Sequence, residues 1–364
     1  MVSRADRSLF ARWWWAVDKP VLALSTILLC IGCVLSFAAS PSVAARIGKI
    51  DNYIFVKQHL IFAVLSFFIL LAISLLNPKY LKGIYVIIGI VSIFLLIGVL
   101  FFGYETKGST RWLKILGLSL QPSELLKPGL TIIYAWMYSA ITKHNRVLIY
   151  LCSGIGYIIC VTLLLLEPDF GQTVLITCIL GCMLFLSGIN ITFTSILLVT
   201  SLSIFYTVYL FSYHVHSRVQ KYLTGIGDTF QVDMGRAAIL HGGWFGVGLG
   251  EGTIKRIIPD SHTDFVFSVA AEEYGIAICS IIIVLIYVLV LRVMAVSCNE
   301  QNIFKKLAIM GLATQIGLQS FINIGVNLHL MPAKGMTLPF ISYGGSSMIS
   351  IALCVGAILC LSKK

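Results

Sequence analysis

Ionisable side chains are concentrated just before and within the start of a long apolar run near position 264. Asp260, His262 and Asp264 come first, and Glu272 and Glu273 follow within three turns. A run of that length predicts a membrane-spanning helix, and hydrocarbon does not solvate carboxylates. Acids at such a place predict a functional site, and Asp264, two residues after His262, is the favoured candidate for chemistry. For Asp260, capping of the helix N-terminus is an equal alternative.

A second polar group opens another apolar run, after the sequence Gln-Pro-Ser. Glu124 and Lys127 are three residues apart, so they share one helix face and can pair inside the membrane. Two interpretations of this pair have equal weight: a structural ion pair and a role in the functional site. The two roles are compatible. Upstream, Arg111 stands beside Trp112. Its guanidinium suits either a phosphate or an anchoring position at the membrane interface.

A third group is the short sequence Glu-Pro-Asp-Phe-Gly, which contains Asp169. Pro168 ends the preceding helix, because proline lacks the amide hydrogen that a helix interior needs. We therefore expect Asp169 to be exposed to whatever occupies the external side. Plain turn chemistry is the alternative, since Asp and Gly are common turn residues.

The fourth group is a long loop, residues 212–263, that combines basic side chains with glycines. Arg218, Gln231 and Lys255 lie in it, together with the glycine-rich stretch 241–252. Glycines permit close backbone approach, and cations bind phosphate, so the loop favours an anionic, phosphate-bearing ligand. The alternative is a solvated basic loop beside lipid headgroups.

The fifth group lies near the C-terminus and contains several residues that interrupt helices. Pro332, Pro339 and the pair Gly344-Gly345 predict re-entrant or broken backbone at membrane depth, which is tolerated only where it lines protein or a polar cavity. Lys334 is a lone cation in this hairpin, and Ser346 follows the glycine pair.

The composition indicates an integral membrane protein. Of the 364 residues, 58% are hydrophobic and 11% are charged. The net charge of +11 comes from short basic clusters between apolar runs, as expected for loops that face an anionic leaflet, so it predicts no nucleic-acid partner. Most of the ten cysteines lie inside apolar runs, where they act as small hydrophobic residues. Neither a zinc site nor a disulfide framework is predicted.

The fold class predicted is all-α, a polytopic membrane domain over residues 1–364 with about ten transmembrane helices. Basic residues in the connections place both termini in the cytoplasm, with a cytoplasmic tail over residues 1–19 and a large extracytoplasmic loop between helices seven and eight. Four segments then lie on the extracytoplasmic face, and they carry the polar groups described above: residues 103–121, the Glu-Pro-Asp-Phe-Gly turn, the long loop 212–263 and residues 330–342. The predicted spans are about Pro20–Ser40, Ile54–Leu76, Leu81–Phe102, Pro122–Ile141, Val147–Leu166, Gly171–Gly188, Ile191–Phe211, Phe265–Val293, Phe304–Leu328 and Phe340–Leu361.

These motifs together resemble the SEDS family (shape, elongation, division and sporulation) along nearly the whole chain. The most specific are His-Thr-Asp-Phe-Val-Phe from His262, the following Ala-Glu-Glu-Tyr-Gly, and Pro-Phe-Ile-Ser-Tyr-Gly-Gly-Ser-Ser from Pro339. Lys-Gly-Met-Thr-Leu-Pro from Lys334 and Ser-Phe-Ala-Ala-Ser from Ser36 are similar to the cell-division branch rather than the elongation branch.

The resemblance implies a peptidoglycan glycosyltransferase of the bacterial cytoplasmic (inner) membrane, acting at the division septum. Its substrate would be lipid II, an undecaprenyl-pyrophosphate disaccharide-peptide. Its partners would be a class B penicillin-binding transpeptidase and other membrane proteins of the division complex. Carried over by motif, the catalytic acid falls on Asp264, the intramembrane pair on Glu124 and Lys127, and a further acid on Asp169.

The chemistry of such a transfer needs one general base and positive charge at the leaving pyrophosphate. Asp264 is the expected base, and the basic loop residues are expected to bind the pyrophosphate. No specific cofactor is predicted, and a divalent cation, Mg²⁺ or Mn²⁺, would suit the pyrophosphate. The alternatives are a lipid II flippase, an elongation-branch polymerase, and a scaffold that only recruits division proteins.

Overall fold

Long helices make up most of the chain, and their ends follow local sequence signals. The computed structural model describes residues 8–106, 109–115, 118–141, 145–188, 230–332 and 335–363, with isolated positions between 195 and 220. Asn77, Asn145 and Asn302 each accept a hydrogen bond at a helix start, as N-cap residues do. The helices are α1 (Leu9–Ala16), α2 (Lys19–Arg46), α3 (Ile54–Leu75), α4 (Pro78–Phe102), α5 (Pro122–Ser139), α6 (Arg146–Leu166), α7 (Phe170–Leu186), α8 (Phe230–Gly242), α9 (Val266–Cys298), α10 (Ile303–Asn327) and α11 (Gly345–Leu361).

The helical fold class is confirmed, and the helices have the length and composition of membrane spans. In the described part of the chain, six of them are long and apolar enough to cross a membrane, namely α2, α3, α4, α6, α9 and α10, while α7 and α11 are shorter apolar helices. The predicted span Ile191–Phe211 falls mostly outside the described residues, so the total of about ten spans stays a prediction.

Contacts between chain segments distinguish the two ends of the helical bundle. At one end, Trp13 Nε1 donates to Ser74 Oγ (3.0 Å) and Lys363 Nζ donates to the Leu76 carbonyl (2.8 Å). Arg292 pairs with Asp18 at the same end (2.9 Å). The N-terminal segment and the C-terminus therefore meet at one end, as the distribution of basic residues predicts for the cytoplasmic side.

Small residues let neighbouring helices approach closely in the middle of the bundle. A Cβ atom added to Gly129 of α5 would lie 2.7 Å from the Gly89 Cα of α4, so the two backbones touch there. Small residues are the usual device for close packing between membrane helices. Nearly every side chain of α11 is buried. The short last helix is therefore surrounded by protein rather than lipid.

Three features of the extracytoplasmic connections were not predicted. Between α4 and α5, the strands β1 (Tyr104–Thr106), β2 (Ser109–Ile115) and β3 (Leu118–Leu120) form an antiparallel sheet in sequence order. The long loop contains α8, followed by a 3₁₀ turn over Ile254–Arg256. In addition, α9 is broken at Gly275, which has a φ of 81°.

The described residues between α10 and α11, 328–332 and 335–344, are not helical, which confirms the predicted broken backbone. Met336, Leu338 and Phe340 are each at most 3% exposed, so this segment passes through the protein interior rather than along its surface. The last helix was predicted to begin at Phe340 and begins instead at Gly345. Its first turn thus stands at the end of a buried, extended stretch, next to the polar groups described below.

Candidate functional site

The predicted pair of Glu124 and Lys127 is formed, and it is buried. Lys127 Nζ lies 2.9 Å from Glu124 Oε2, and the two side chains are 0% and 4% exposed. Both residues lie in the first two turns of α5, after Pro122 has started the helix. A buried charge is tolerated when an opposite charge and further hydrogen bonds accompany it, which is the case here.

Two glutamines complete the surroundings of this pair, and sequence analysis missed both. Gln172 Nε2 of α7 donates to Glu124 Oε1 (2.6 Å). Gln319 Oε1 of α10 accepts from Lys127 Nζ (2.9 Å). A signal for both existed, since each is a glutamine inside an apolar helix, where polar side chains are costly unless they have a partner.

The Glu-Pro-Asp turn lies against the same group, and the expectation that Asp169 is exposed was wrong. Asp169 is 2% exposed. Its carboxylate accepts hydrogen bonds from Gln121 Nε2 (3.2 Å) and Ser123 Oγ (3.3 Å). Pro168 does end α6, but the turn is covered by the start of α5 and by the sheet, so it faces protein.

Arg111 of β2 binds this turn. Its guanidinium donates to the Pro168 carbonyl, and Nη1 lies 3.6 Å from Asp169 Oδ1. The structure therefore places Arg111 in an ion pair with Asp169. Of its two predicted roles, phosphate binding and interfacial anchoring, neither accounts for these contacts.

Glu167, the first acid of the turn, is completely buried, and neither carboxylate oxygen has a hydrogen-bond partner among the described residues. The pKa of Glu167 is raised to about 8, mainly by burial and also by the nearby charge of Asp169, while Arg111 opposes the rise. A carboxyl group with that pKa holds its proton at neutral pH, which is how the turn tolerates two adjacent acids.

The buried segment before α11 is tied to the same polar group. Gln319 Nε2 donates to the Thr337 carbonyl (3.1 Å), and Thr337 Oγ1 hydrogen bonds to Ser347 Oγ. Ser346 Oγ accepts from the Gln121 backbone N–H (3.0 Å). The predicted site residue Ser346 thus joins the first turn of α11 to the start of α5. Lys334, also predicted, lies outside the described residues.

Asp264 stands at the entry to α9, and its main chain is firmly held. Its carbonyl oxygen accepts from Asn323 Nδ2 and from Asn327 Nδ2, both at 2.9 Å. Its side chain is partly exposed, whereas Glu124, Asp169 and Glu272 are buried. A Cβ atom added to Gly335 would lie 3.6 Å from Asp264 Oδ2, so this glycine borders the carboxylate.

His262 belongs to an aromatic group beside Asp264. The centroid of its ring lies 5.0 Å from the ring centroid of Phe55 and 5.0 Å from that of Tyr343. His59 of α3 stacks on the other side of Tyr343 at 6.3 Å and is fully buried. These rings attach the turn before α9 to α3 and to the end of the buried segment.

The backbone of Asp260 shapes the turn before α9. It adopts a left-handed conformation with a φ of 57°, and its carbonyl accepts from the Thr263 and Asp264 backbone N–H groups (both 3.1 Å). Asp is one of the residues that tolerate this conformation. The left-handed turn at Asp260 directs the chain into the position from which Asp264 enters α9.

Lys255, one of the basic loop residues expected to bind phosphate, is instead engaged by the protein itself. Lys255 is 6% exposed; it pairs with Glu273 and donates to the Ala38 carbonyl (3.0 Å). Glu272 accepts from the backbone N–H groups of Ile254 (2.7 Å) and Lys255 (2.8 Å). Glu272 and Glu273 thus bind the loop to α9. The charge of Lys255 is neutralised by Glu273, so Lys255 is not available to bind an anion. Of the other loop candidates, Gln231 is half-buried on α8, and Arg218 lies outside the described residues.

Two glycines of the stretch 241–252, Gly242 and Gly246, allow the chain to pack closely on itself. A Cβ atom at Gly242 would overlap the Ala271 carbonyl, and one at Gly246 would overlap the Glu273 carbonyl. The backbone N–H groups of Ile276 and Ala277 donate to the Gly243 and Trp244 carbonyls (3.0 and 3.2 Å). The close backbone approach at Gly242 and Gly246 is therefore real, and its partner in the structure is the broken region of α9.

We expect Gly242→Ala to destabilise the protein by about 3 kcal/mol or more, because the new methyl group would have to displace backbone. Gly181→Ala is the matched control, since a Cβ atom there meets nothing within 4 Å. It should change stability by less than about 1 kcal/mol. Melting temperatures of the two purified variants in detergent measure the difference. Equal melting temperatures would contradict the packing of α8 on α9.

Comparison with known proteins agrees with this architecture. The sequence pattern of the FtsW, RodA and SpoVE family, described as cell cycle proteins, matches residues 19–364. A Caulobacter vibrioides protein named probable peptidoglycan glycosyltransferase FtsW is 41% identical over 363 residues, covering 100% of this chain and 93% of that protein. A Geobacter sulfurreducens protein of the same name is 31% identical and covers 95% of both chains.

Two solved structures have the same fold. A chain from a peptidoglycan synthase complex, described as coordinating polymerization and crosslinking, superposes with a TM-score of 0.81 at 26% identity, covering 96% of this chain and 98% of that chain. The rod shape determining protein RodA of Thermus thermophilus superposes with a TM-score of 0.72, also at 26% identity, covering 96% and 97%. By its full-length sequence match and its fold, this chain belongs to the FtsW/RodA/SpoVE family of cell cycle proteins.

Proposed function

We propose that this protein is a peptidoglycan glycosyltransferase that polymerises lipid II into glycan strands during septal wall synthesis. The observation that carries the proposal is the state of Asp264. Among the acids grouped at this end of the helices, it combines a partly exposed carboxylate with a main chain held by two asparagine side chains. A general base must reach its substrate and must also keep its position.

The reaction proceeds by inversion at the donor sugar. The lipid-linked donor has the α configuration and the glycan is β-linked, so one displacement with one base is sufficient. The 4-hydroxyl oxygen of the acceptor sugar forms a bond to the anomeric carbon while the bond from that carbon to the pyrophosphate oxygen breaks. Asp264 accepts the hydroxyl proton, and the lipid pyrophosphate leaves with the bonding electron pair.

The buried residues hold the surroundings of Asp264 in place. The pair of Glu124 and Lys127 is connected through Gln319 to the segment that ends at α11. These groups are buried, so their role in the proposal is to position the segment bordering Asp264. Arg111 and Lys255 are engaged by Asp169 and Glu273, so the cations that neutralise the leaving pyrophosphate belong elsewhere in the protein or come from solution.

A divalent cation, Mg²⁺ or Mn²⁺, suits this chemistry if it is bound to the pyrophosphate of the substrate. Within the described ranges, no group of three His, Cys, Asp or Glu side chains could hold a metal ion. The described residues thus offer no set of side chains that would hold a cation without the substrate, and the steps above do not depend on a cation.

The proposed partner is a class B penicillin-binding transpeptidase in a division complex of the cytoplasmic membrane. Its support is the similarity to a chain from a peptidoglycan synthase complex that combines polymerization and crosslinking. The higher identity to a protein named FtsW, 41%, than to RodA of Thermus thermophilus, 26%, favours the septal role over an elongation role.

The alternative of a flippase requires charged groups that can be reached from both faces. At the predicted cytoplasmic end, Arg292 is paired with Asp18, and Lys363 binds the Leu76 carbonyl. The charged groups at that end are thus engaged by other parts of the protein, which favours the glycosyltransferase over the flippase.

The test is polymerisation of fluorescent lipid II by the purified protein in detergent, alone and with its cognate transpeptidase. We expect glycan chains resolved as a ladder on a gel. Folded protein that produces no polymer in either mixture, yet moves lipid II across the membrane of proteoliposomes, would replace the proposal with the flippase.

A further inference from the structure

One face of α10 carries four amide side chains at every fourth position: Gln315, Gln319, Asn323 and Asn327. They are between 0% and 1% exposed. Side chains four residues apart lie above one another on a helix, so the four form one polar line through a largely apolar helix. Buried amides are costly unless their hydrogen bonds are satisfied, and the partners of each amide therefore show what it does.

The last two amides of this line hold the main chain at Asp264. Asn323 Nδ2 donates to the Asp264 carbonyl (2.9 Å) and to the Met336 carbonyl (2.6 Å). Asn327 Nδ2 donates to the same Asp264 carbonyl (2.9 Å). Asn323 thus joins the turn that carries Asp264 to the buried segment before α11.

The side-chain oxygen of Asn327 also holds the first turn of α9, because it accepts hydrogen bonds there. Its Oδ1 accepts from the Ser268 backbone N–H (3.1 Å) and from Ser268 Oγ (2.7 Å). α9 begins without a side-chain cap of its own. An asparagine from a neighbouring helix therefore satisfies a backbone N–H that the start of a helix leaves without an internal partner.

Gln319 extends the connection to the Glu124–Lys127 pair. Its Oε1 accepts from Lys127 Nζ (2.9 Å), while its Nε2 donates to the Thr337 carbonyl (3.1 Å). Thr337 is adjacent to Met336, which Asn323 binds. The line of amides thus leads from the buried ion pair, across the segment before α11, to Asp264.

We infer that Gln319, Asn323 and Asn327 are positioning residues, which fix the location of Asp264 by binding its backbone and couple it to the Glu124–Lys127 pair. The catalytic part of this inference rests on the proposed function, and the geometric part does not. Small displacements of a reacting group have large effects on rate, so loss of these hydrogen bonds should slow the chemical step more than it weakens substrate binding.

Gln315 provides an internal control. It lies one turn before Gln319 on the same face and is equally buried, but in the described part of the chain it makes no hydrogen bond to the Glu124–Lys127 pair, to the segment before α11 or to Asp264. Gln319→Met and Gln315→Met are therefore the same substitution in matched surroundings, and only the first removes the proposed connection. Asn327→Leu, which keeps the number and branching of the side-chain heavy atoms, removes the hydrogen bond from Asn327 to the Asp264 carbonyl.

Two measurements separate positioning from general damage. In polymerisation of fluorescent lipid II, we expect Gln319→Met and Asn327→Leu to lower kcat by about tenfold to a hundredfold with KM changed less than about twofold. Gln315→Met should leave both constants unchanged. The second measurement replaces Asp264 by cysteine in protein without native cysteines. Asn327→Leu should change the rate at which a water-soluble thiol reagent labels position 264, and Gln315→Met should not.

The outcomes distinguish the inference from the proposed function. Equal kcat values for Gln319→Met and Gln315→Met, or an unchanged labelling rate at position 264 in folded Asn327→Leu protein, would overturn the inference. If Asn327→Leu does not fold, Asn323→Leu takes its place in the labelling experiment, and the matched glutamine pair still decides. A changed labelling rate in protein whose unaltered form makes no polymer would support the positioning and reject the proposed function.

Discussion

Asp264→Asn is expected to lower the rate of lipid II polymerisation by about a hundredfold or more, with the protein still folded. The substitution keeps the size of the side chain and leaves the two hydrogen bonds to the Asp264 carbonyl intact, since these involve only backbone. It removes the carboxylate that would accept the acceptor's proton, and general base catalysis typically contributes 10²–10⁴-fold. Initial rates at saturating lipid II measure the effect directly.

Asp260→Asn is the matched comparison, four residues earlier in the same turn. Asp260 supports the turn through its backbone carbonyl in a left-handed conformation, which asparagine adopts readily. We expect this variant to retain most of the activity. Near-normal polymer from the Asp264→Asn protein, or equal losses in the two variants, would show that the base lies elsewhere.

The second large effect is expected at the buried ion pair. Lys127→Met should destabilise the protein by about 3–5 kcal/mol, because it leaves the carboxylate of Glu124 buried without its opposite charge. Glu124→Gln should act similarly on Lys127. The double variant should be more stable than the sum of the two losses predicts, since it leaves no buried charge. Unfolding of the three variants in detergent, compared with unaltered protein, gives the coupling energy.

Exchanging the two charges separates stability from activity. In the protein with Glu124→Lys and Lys127→Glu together, the oppositely charged groups can still pair. Gln172 Oε1 has no partner in the described part of the chain, so it can accept from an ammonium at position 124. A carboxylate at position 127 would require Gln319 to turn its Nε2 away from Thr337. We therefore expect stability to recover further than activity. Full recovery of stability and activity in the exchanged protein would exclude a role for the pair in the site. Unchanged stability and activity in every single variant would exclude it too.

Features set by neighbouring residues in the chain were predictable. The apolar runs predict the helices to within a few residues over most of the described part, because the length of a membrane span is a property of one contiguous segment. The pairing of Glu124 with Lys127 follows from their spacing on one helix face. The prolines and glycines before α11 predict its non-helical lead-in. Each of these conclusions needs only local geometry.

Features that depend on which helix faces meet were decided by the tertiary structure. The sequence suggested that Asp169 is exposed and that Lys255 binds an anion, but packing of other segments buries the first and pairs the second with Glu273. The roles of Gln319 and Asn327 were likewise invisible, since their partners lie far from them in the chain. A polar residue in an apolar helix indicates that a partner exists, because an unsatisfied group is costly in hydrocarbon. Only the assembled bundle shows which partner it is.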